Sequence, residues 1–176
     1  MSSLDALRLK MVKKFREIKW QGHVCGRWSL FENTKLIREL LPKIAAEYDL
    51  RTIADCGAGD LSWSSKIFWE SQVEYKAYDL VMRHPDVKEF DITAATLSPH
   101  DLILCRYVLN HLPEELQEEA LRRFKKSGSG YLLATYQIPR NNLELILGEP
   151  LLKVLEKTKI VNNQRCDVYY GLWRLK

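Results

Sequence analysis

Residues 51–60 read RTIADCGAGD, from Arg51 through Asp55, Gly57 and Gly59 to Asp60. A short apolar strand over 51–55 ends in an acid and runs straight into a glycine-rich turn. An Asp55-x-Gly57-x-Gly59 turn leading to a helical run, here 61–70, is built to cradle a nucleotide-shaped cofactor. The glycines let backbone approach the ligand closely, and the next helix presents its free N–H groups there. Alone, such a turn is also a plain strand-to-helix corner. Its weight comes from the strand ends downstream: Asp79 ends a second strand, Asp91 a third, and DLILCR (101–106) a fourth.

Outward from this turn the chain alternates. Leu4, Leu7, Met11, Phe15 and Ile18 recur at helical spacing, giving an N-terminal amphipathic helix with a basic outer face. An irregular, aromatic-rich stretch spans 20–32, and a helix over about 33–48 buries Leu36, Ile37, Leu40, Leu41 and Ile44. Strands come next at 51–55, 73–79, about 87–91 and 101–106. Pro113, Glu114 and Glu115 then open a helix that ends in Arg122, Arg123, Lys125 and Lys126, with Gly128 beyond it. A strand over 130–136 leads to a loop or short helix carrying Pro139, Gly148 and Pro150. Two β-rich runs, about 153–161 and 166–175, flank a turn at Asn162–Arg165 and close the chain as a hairpin, so the last strand is antiparallel. The predicted fold is α/β: a Rossmann-like, mostly parallel sheet with helices on both faces and the ligand at its C-terminal edge. The expected organisation is one compact domain. Residues 1–32 supply a helix and a covering segment, and 33–176 form the cofactor-binding body.

Composition narrows the class. The chain has 176 residues, 46% hydrophobic and 28% charged, as an ordinary globular protein does. No apolar run approaches the roughly 20 residues that span a bilayer, and the N-terminus lacks the apolar core of a secretory signal. Four cysteines without a CxxC pair point to a reducing compartment, the cytoplasm, and away from a structural zinc site. Net charge is +4 and pI 8.8, below the value above about 9 that marks a committed nucleic-acid binder. The cations cluster on the first helix and on 122–126.

Taken together, DCGAGD, YDL ending at Leu80, FDIT (90–93), DLILCRYVLNHLP (101–113) and the closing hairpin with YGLWRL resemble the class I S-adenosylmethionine-dependent methyltransferases over roughly 29–176. More narrowly, CGAGDLSW with the upstream SLFENT resembles small bacterial and phage methyltransferases that carry a Gly-Asp-x-x-Trp variant of the loop. The resemblance implies a seven-stranded sheet with an antiparallel last strand, and S-adenosylmethionine as cofactor. One departure is Leu61, which stands where a third glycine often succeeds the second. A nicotinamide dinucleotide fits less well, because its fingerprint needs a glycine where this chain has Ser62, and Asp55 sits poorly beside a pyrophosphate. The methyl donor has no phosphate, and its ammonium and sulfonium are cationic.

Each residue of these motifs has a candidate role. Gly57 and Gly59 form the loop, and Asp55 orders the amino end of the donor or stabilises the turn. Asp79, with Leu80 after it, lies near the roughly 20-residue interval from glycine loop to ribose-binding acid; a carboxylate taking two hydroxyls gains on the order of 1.5–3 kcal/mol per bond. Asp91 and Ile92 stand where the resemblance implies the adenine. Asp60 either caps the next helix or faces the methionine moiety. Trp63 roofs the pocket or packs in the core; near a sulfonium its ring gains roughly 0.5–2 kcal/mol. Trp28 and Phe31 carry the same two readings, and Ser29, Asn33 and Thr34 touch the donor's carboxylate if the upstream segment folds over it, with helix capping the alternative for Asn33.

Cys105 ends the fourth strand on the cofactor side. The thiolate enzymes that attack pyrimidines place proline before this cysteine, and here it is Leu104. Beyond it, Arg106 is a candidate holder of an anionic group and His111 a candidate general base; the alternative for His111 is a cap ahead of Pro113. No metal is implied. The expected reaction is in-line methyl transfer to an O or N nucleophile of a small-molecule or saccharide acceptor. Nucleic acid is the alternative partner, and a non-catalytic binding subunit the alternative role. No membrane partner is expected, and oligomeric state is not legible.

Overall fold

The computed structural model describes residues 2–18, 25–69, 72–162 and 164–175. Seven strands form one sheet in the order β3-β2-β1-β4-β5-β7-β6, with ranges β1 Thr52–Cys56, β2 Glu74–Asp79, β3 Val87–Glu89, β4 Leu102–Cys105, β5 Tyr131–Ile138, β6 Leu152–Val161 and β7 Gln164–Arg174. The chain divides into two compact units, Met1–Asp91 and Ile92–Lys176.

In the first unit, α1 (Ser3–Glu17) opens with a capping box: the Ser2 hydroxyl accepts from the Asp5 N–H, and the Asp5 carboxylate accepts from the Ser2 N–H, both at 3.1 Å. Of the expected stripe only Met11 is fully buried. Two 3-10 turns, Arg27–Ser29 and Phe31–Thr34, precede α2 (Lys35–Glu47), which buries Ile37, Leu41, Ile44 and Ala45. β1 pairs in parallel with β2, and β2 with β3.

The expected helix over 61–70 is not an α-helix among the described residues. It reduces to a single 3-10 turn, Ser64–Lys66. The local chemistry explains this. Leu61 takes a left-handed φ of 59°, and Asp60 Oδ1 accepts from the Ser62 N–H at 3.1 Å, a local side-chain bond that competes with helix formation. The simple alternation of strand and helix therefore fails between β1 and β2. The side chain of Leu61 packs on the buried cluster of Ala58, Ala77 and Val87, so the residue keeps the conformation a glycine would supply and adds a plug.

In the second unit all four residues of β4 are fully buried, as a strand covered on both faces must be. The helix α3 (Glu114–Lys126) begins one residue later than expected, with Pro113 at the cap, and buries Leu116, Ala120, Leu121 and Phe124. Its basic end is partly neutralised internally, because Arg122 and Arg123 both reach Glu119, at 2.8 and 2.7 Å. β4 runs parallel to β5, and β7 is antiparallel to both β5 and β6. The connection carrying Pro139 and Gly148 holds the single-turn helix α4 (Glu144–Leu147). Asn162 turns the hairpin with φ 51°. β6 carries a bulge between Leu155, opposite Tyr169, and Lys157, opposite Val168.

Candidate functional site

The first cluster is built on the ends of β1 and β2. Register places Asp55 opposite Ala77 and Cys56 opposite Tyr78, and the N–H groups of Gly57 and Ala58 both donate to the Tyr78 carbonyl, at 2.8 and 3.1 Å. Gly57 and Gly59 have φ of 107° and 66°, a region that costs L side chains strain. The loop is fastened from the next strand: Asp79 Oδ2 accepts from the Gly59 N–H at 2.9 Å, and Oδ1 from the Val81 N–H at 3.1 Å. Asp79 and Leu80 stay half-buried. Each carboxylate oxygen retains a second lone pair for another donor.

Asp55 is 1% exposed, and the Tyr75 hydroxyl donates to its Oδ2 at 2.5 Å. Burial, and then the Asp55 charge, push the Tyr75 phenol well above its ordinary value, keeping it a donor. Asp55 thus sits behind the turn as a negative charge anchored by a phenol. Trp63 is buried at 4% exposure. Asp91 lies just past β3, half-buried, and Ile92 is buried at the start of the second unit.

The segment before α2 lies on this loop. A methyl group on Gly59 would stand 2.7 Å from Cys25 Sγ, so the sulfur packs directly on the glycine. Burial, then the Asp60 charge, push the Cys25 thiol up to about 12, with Arg83 opposing. Ser62 Oγ donates to the Ser29 carbonyl at 3.3 Å, and Arg83 to the Phe15 carbonyl at 3.1 Å. Asn33 donates to the Arg27 carbonyl at 3.0 Å and Thr34 to the Phe31 carbonyl at 2.8 Å. The N-cap position of α2 is Thr34, without a side-chain cap bond. Trp28 and Phe31 are exposed, and the Arg38 guanidinium lies 3.5 Å from the Phe31 ring centre.

The second cluster stands at the end of β4. Cys105 is fully buried as the strand's last residue, opposite Ala134. Arg106 is 5% exposed; its Nε donates to the Tyr170 hydroxyl at 2.7 Å, and its Nη2 lies 3.6 Å from Glu156 Oε1. The Tyr107 hydroxyl donates to Glu156 Oε2, and Tyr170 donates to Oε1 at 3.2 Å. Tyr107 has a left-handed φ of 54°, and its N–H is held by Thr135 Oγ1 at 2.6 Å. Lys157 Nζ lies 3.9 Å from Glu156 and 4.6 Å from the Tyr107 ring centre. Desolvation brings Lys157 down to about 8, and burial with the Glu156 charge raises Tyr107 and Tyr170. His111 closes a 3-10 turn, Leu109–His111, and is half-buried.

Sequence reasoning missed Tyr75, Glu156, Tyr170 and Thr135. All four sit on strands, where they read as ordinary strand residues. Glu156 faces Arg106 through a bulge that carries no glycine signal. Among the described residues no group of three or more His, Cys, Asp or Glu is placed to hold a metal ion, and no helix is long and apolar enough to cross a membrane.

No known family profile matches the sequence, and no curated protein matches it. Among solved structures the fold is similar to the N-methyltransferase NodS from Bradyrhizobium japonicum WM9 in complex with S-adenosyl-L-homocysteine, at TM-score 0.62 and 14% identity over 94% of this chain and 96% of that one. It is similar to a candidate RNA methyltransferase from Pyrococcus horikoshii, at 0.59 and 11% over 99% and 97%. It is also similar to the N-terminal domain of EvdMO1, crystallised in the presence of S-adenosylhomocysteine and D-fucose, at 0.58 and 9% over 100% and 98%. At these identities the likeness is one of fold: the chain has the Rossmann-like sheet that these three proteins share.

Proposed function

We propose that the chain is an S-adenosylmethionine-dependent methyltransferase that moves a methyl group in line to an O or N nucleophile of a small-molecule or saccharide acceptor. The observation that carries this reading is the clasp of Asp79 on Gly59 at the mouth of an acid-backed, phosphate-unfriendly glycine turn. The residues fit the donor chemically. Two carboxylates, Asp55 and Asp79, favour a cationic ligand with donor hydroxyls, and repel a pyrophosphate.

When bound, the donor supplies an activated sulfonium leaving group. The residues of the chain have the remaining work. Asp79 binds through its remaining lone pairs, with Asp91 and Ile92 proposed at the adenine and Gly57 and Gly59 giving close backbone approach. Asp55 contributes field from behind. In-line transfer needs alignment above all, and orientation alone lowers barriers by up to about 7–11 kcal/mol in well-placed systems. Arg106 is already engaged by Glu156 and Tyr170, so its proposed part is to hold the end of β4 rigid. His111 is the proposed base for a hydroxyl acceptor. The proposed compartment is the cytoplasm, in keeping with four free cysteines.

The test is thermal unfolding with saturating S-adenosylmethionine, with NAD as control. At 100 times Kd a ligand adds about 2.7 kcal/mol, which raises the midpoint by roughly 5–11 °C at this size. No rise with the methyl donor rejects the reading and favours a non-catalytic partner. Nucleic acid as acceptor is the second reading, favoured by the basic face of α1; it predicts binding that weakens steeply with salt.

A further inference from the structure

The ends of β4 and β5 hold two asparagines whose buried amide atoms have no hydrogen-bond partner among the described residues. Asn141, 9% exposed, has neither its Nδ2 nor its Oδ1 bonded. Asn110, in the turn after β4, has an unbonded buried Oδ1. The neighbouring Asn142 shows the contrast, since its Oδ1 accepts from the Glu144 N–H at 3.1 Å and opens α4. The Asn141 backbone is held firmly, because its carbonyl accepts from the Gln137 N–H at 2.9 Å in an isolated bridge. A fixed backbone with an unbonded side-chain amide is a costly arrangement in a buried place. In open α/β sheets, ligands bind outside the carboxyl ends of the strands, and β4 and β5 are parallel neighbours there.

We propose that Asn141, with Asn110, binds the methyl acceptor, and that the acceptor presents a neutral hydrogen-bonding edge, hydroxyl or amide, at this point. The inference rests on the methyltransferase reading and names the acceptor class for it. The open atoms are one donor group, Asn141 Nδ2, and two acceptors, Oδ1 of Asn141 and Asn110; a hydroxyl or amide can both donate and accept here, whereas a fully ionised carboxylate would leave the two acceptors open. Arg106 and Lys157 are both turned to Glu156, which also takes two phenols.

Two measurements test this. The first is urea unfolding of the ligand-free Asn141→Leu protein, beside binding of S-adenosylhomocysteine. If the amide is satisfied only by acceptor, the near-isosteric apolar side chain leaves the midpoint unchanged or raises it, with S-adenosylhomocysteine affinity within twofold of the parent. A midpoint that falls clearly below the parent shows an amide paired within the fold and overturns the proposal. The second measurement uses tritiated-methyl S-adenosylmethionine with a small-molecule cell extract separated on an anion exchanger. Label is expected in the unretained fraction, and Asn141→Ala lowers its incorporation by roughly ten- to a hundredfold. Label in the retained anionic fraction, or in neither fraction while S-adenosylhomocysteine still binds, overturns the acceptor class. Failure of S-adenosylhomocysteine to bind rejects the donor reading instead, and the Asn141→Leu unfolding result still decides whether Asn141 is a ligand amide.

Discussion

The guanidinium of Arg106 and the carboxylate of Glu156 face each other at 3.6 Å with side chains 3% and 8% exposed. They are separated by most of the second unit in sequence, and a β-bulge in β6 makes Glu156 the extra residue that meets the end of β4. Removing one partner of such a pair strands a buried cation. Glu156→Ala is expected to cost about 3–5 kcal/mol, measured by urea unfolding. Glu156→Gln, which keeps an acceptor for Tyr107, should cost less. A loss below about 1 kcal/mol in the alanine variant would show that the network is not structural.

Lys157 sets a pH dependence. Its folded amine is brought down to about 8 by desolvation, against 10.5 unpaired. Between those values the unfolded chain binds more protons, so this group makes stability rise with pH across that window. Unfolding midpoints at about pH 7.5 and 9.5 should show it as a difference between parent and Lys157→Met, which loses this gain, because the raised Cys25 thiol opposes it in both proteins. The phenols of Tyr107 and Tyr170 lie above this range in the folded state. An unaltered slope in the variant would assign the dependence elsewhere.

Cys25 is half-exposed while the other three cysteines are buried, so exposure alone names it the reactive thiol. Its displacement from 9.0 to about 12 argues the reverse, because the thiolate is the nucleophile. Alkylation by iodoacetamide at about pH 8 should run two to three orders of magnitude slower than for an unperturbed thiol. Asp60→Asn should speed it, since the Asp60 charge is the second cause of the rise. Fast labelling of Cys25 in the parent would contradict the packing of its sulfur on Gly59.

Asp79 carries two duties that different variants separate. Asp79→Ala loses both backbone bonds, to Gly59 and Val81, and should cost roughly 2–4 kcal/mol of stability together with the proposed donor affinity. Asp79→Asn keeps one amide oxygen for the loop, so it should regain stability more than affinity. Calorimetric titration with S-adenosylhomocysteine, beside urea unfolding, reads the two effects apart. Equal recovery of both would leave Asp79 as a loop clasp alone.

Gly171 in β7 is held open by its neighbour. An added Cβ would meet the Trp173 ring at 2.2 Å. That ring is pinned by a bond from Nε1 to the Gly148 carbonyl at 2.9 Å and by edge contact with Tyr136. Gly171→Ala should destabilise by about 1–3 kcal/mol through overpacking, with a shifted tryptophan emission. An unchanged unfolding midpoint would mean that the ring yields freely.

The local sequence determined the elements that repeat or punctuate. The fully apolar LILC run gave β4, the Pro–Glu–Glu opening and basic close bounded α3, and the acid-glycine turn marked the loop; the bond from the Gly59 N–H to Asp79 came from the structure alone. These are period, cap and turn signals, which act within a few residues. The helix over 61–70 failed for a reason present in the same stretch: Asp60 accepts from the Ser62 N–H and Leu61 takes a left-handed φ, so one 3-10 turn remains. Tertiary structure alone decided which charges meet. The bulge at Glu156 shifts register by one residue, and because strand side chains alternate with period two, that single step turns a surface-patterned glutamate toward Arg106. The bond from Tyr75 to Asp55 and the open amide of Asn141 likewise depend on which strands lie side by side, and pairing between distant strands leaves no periodic trace in the chain.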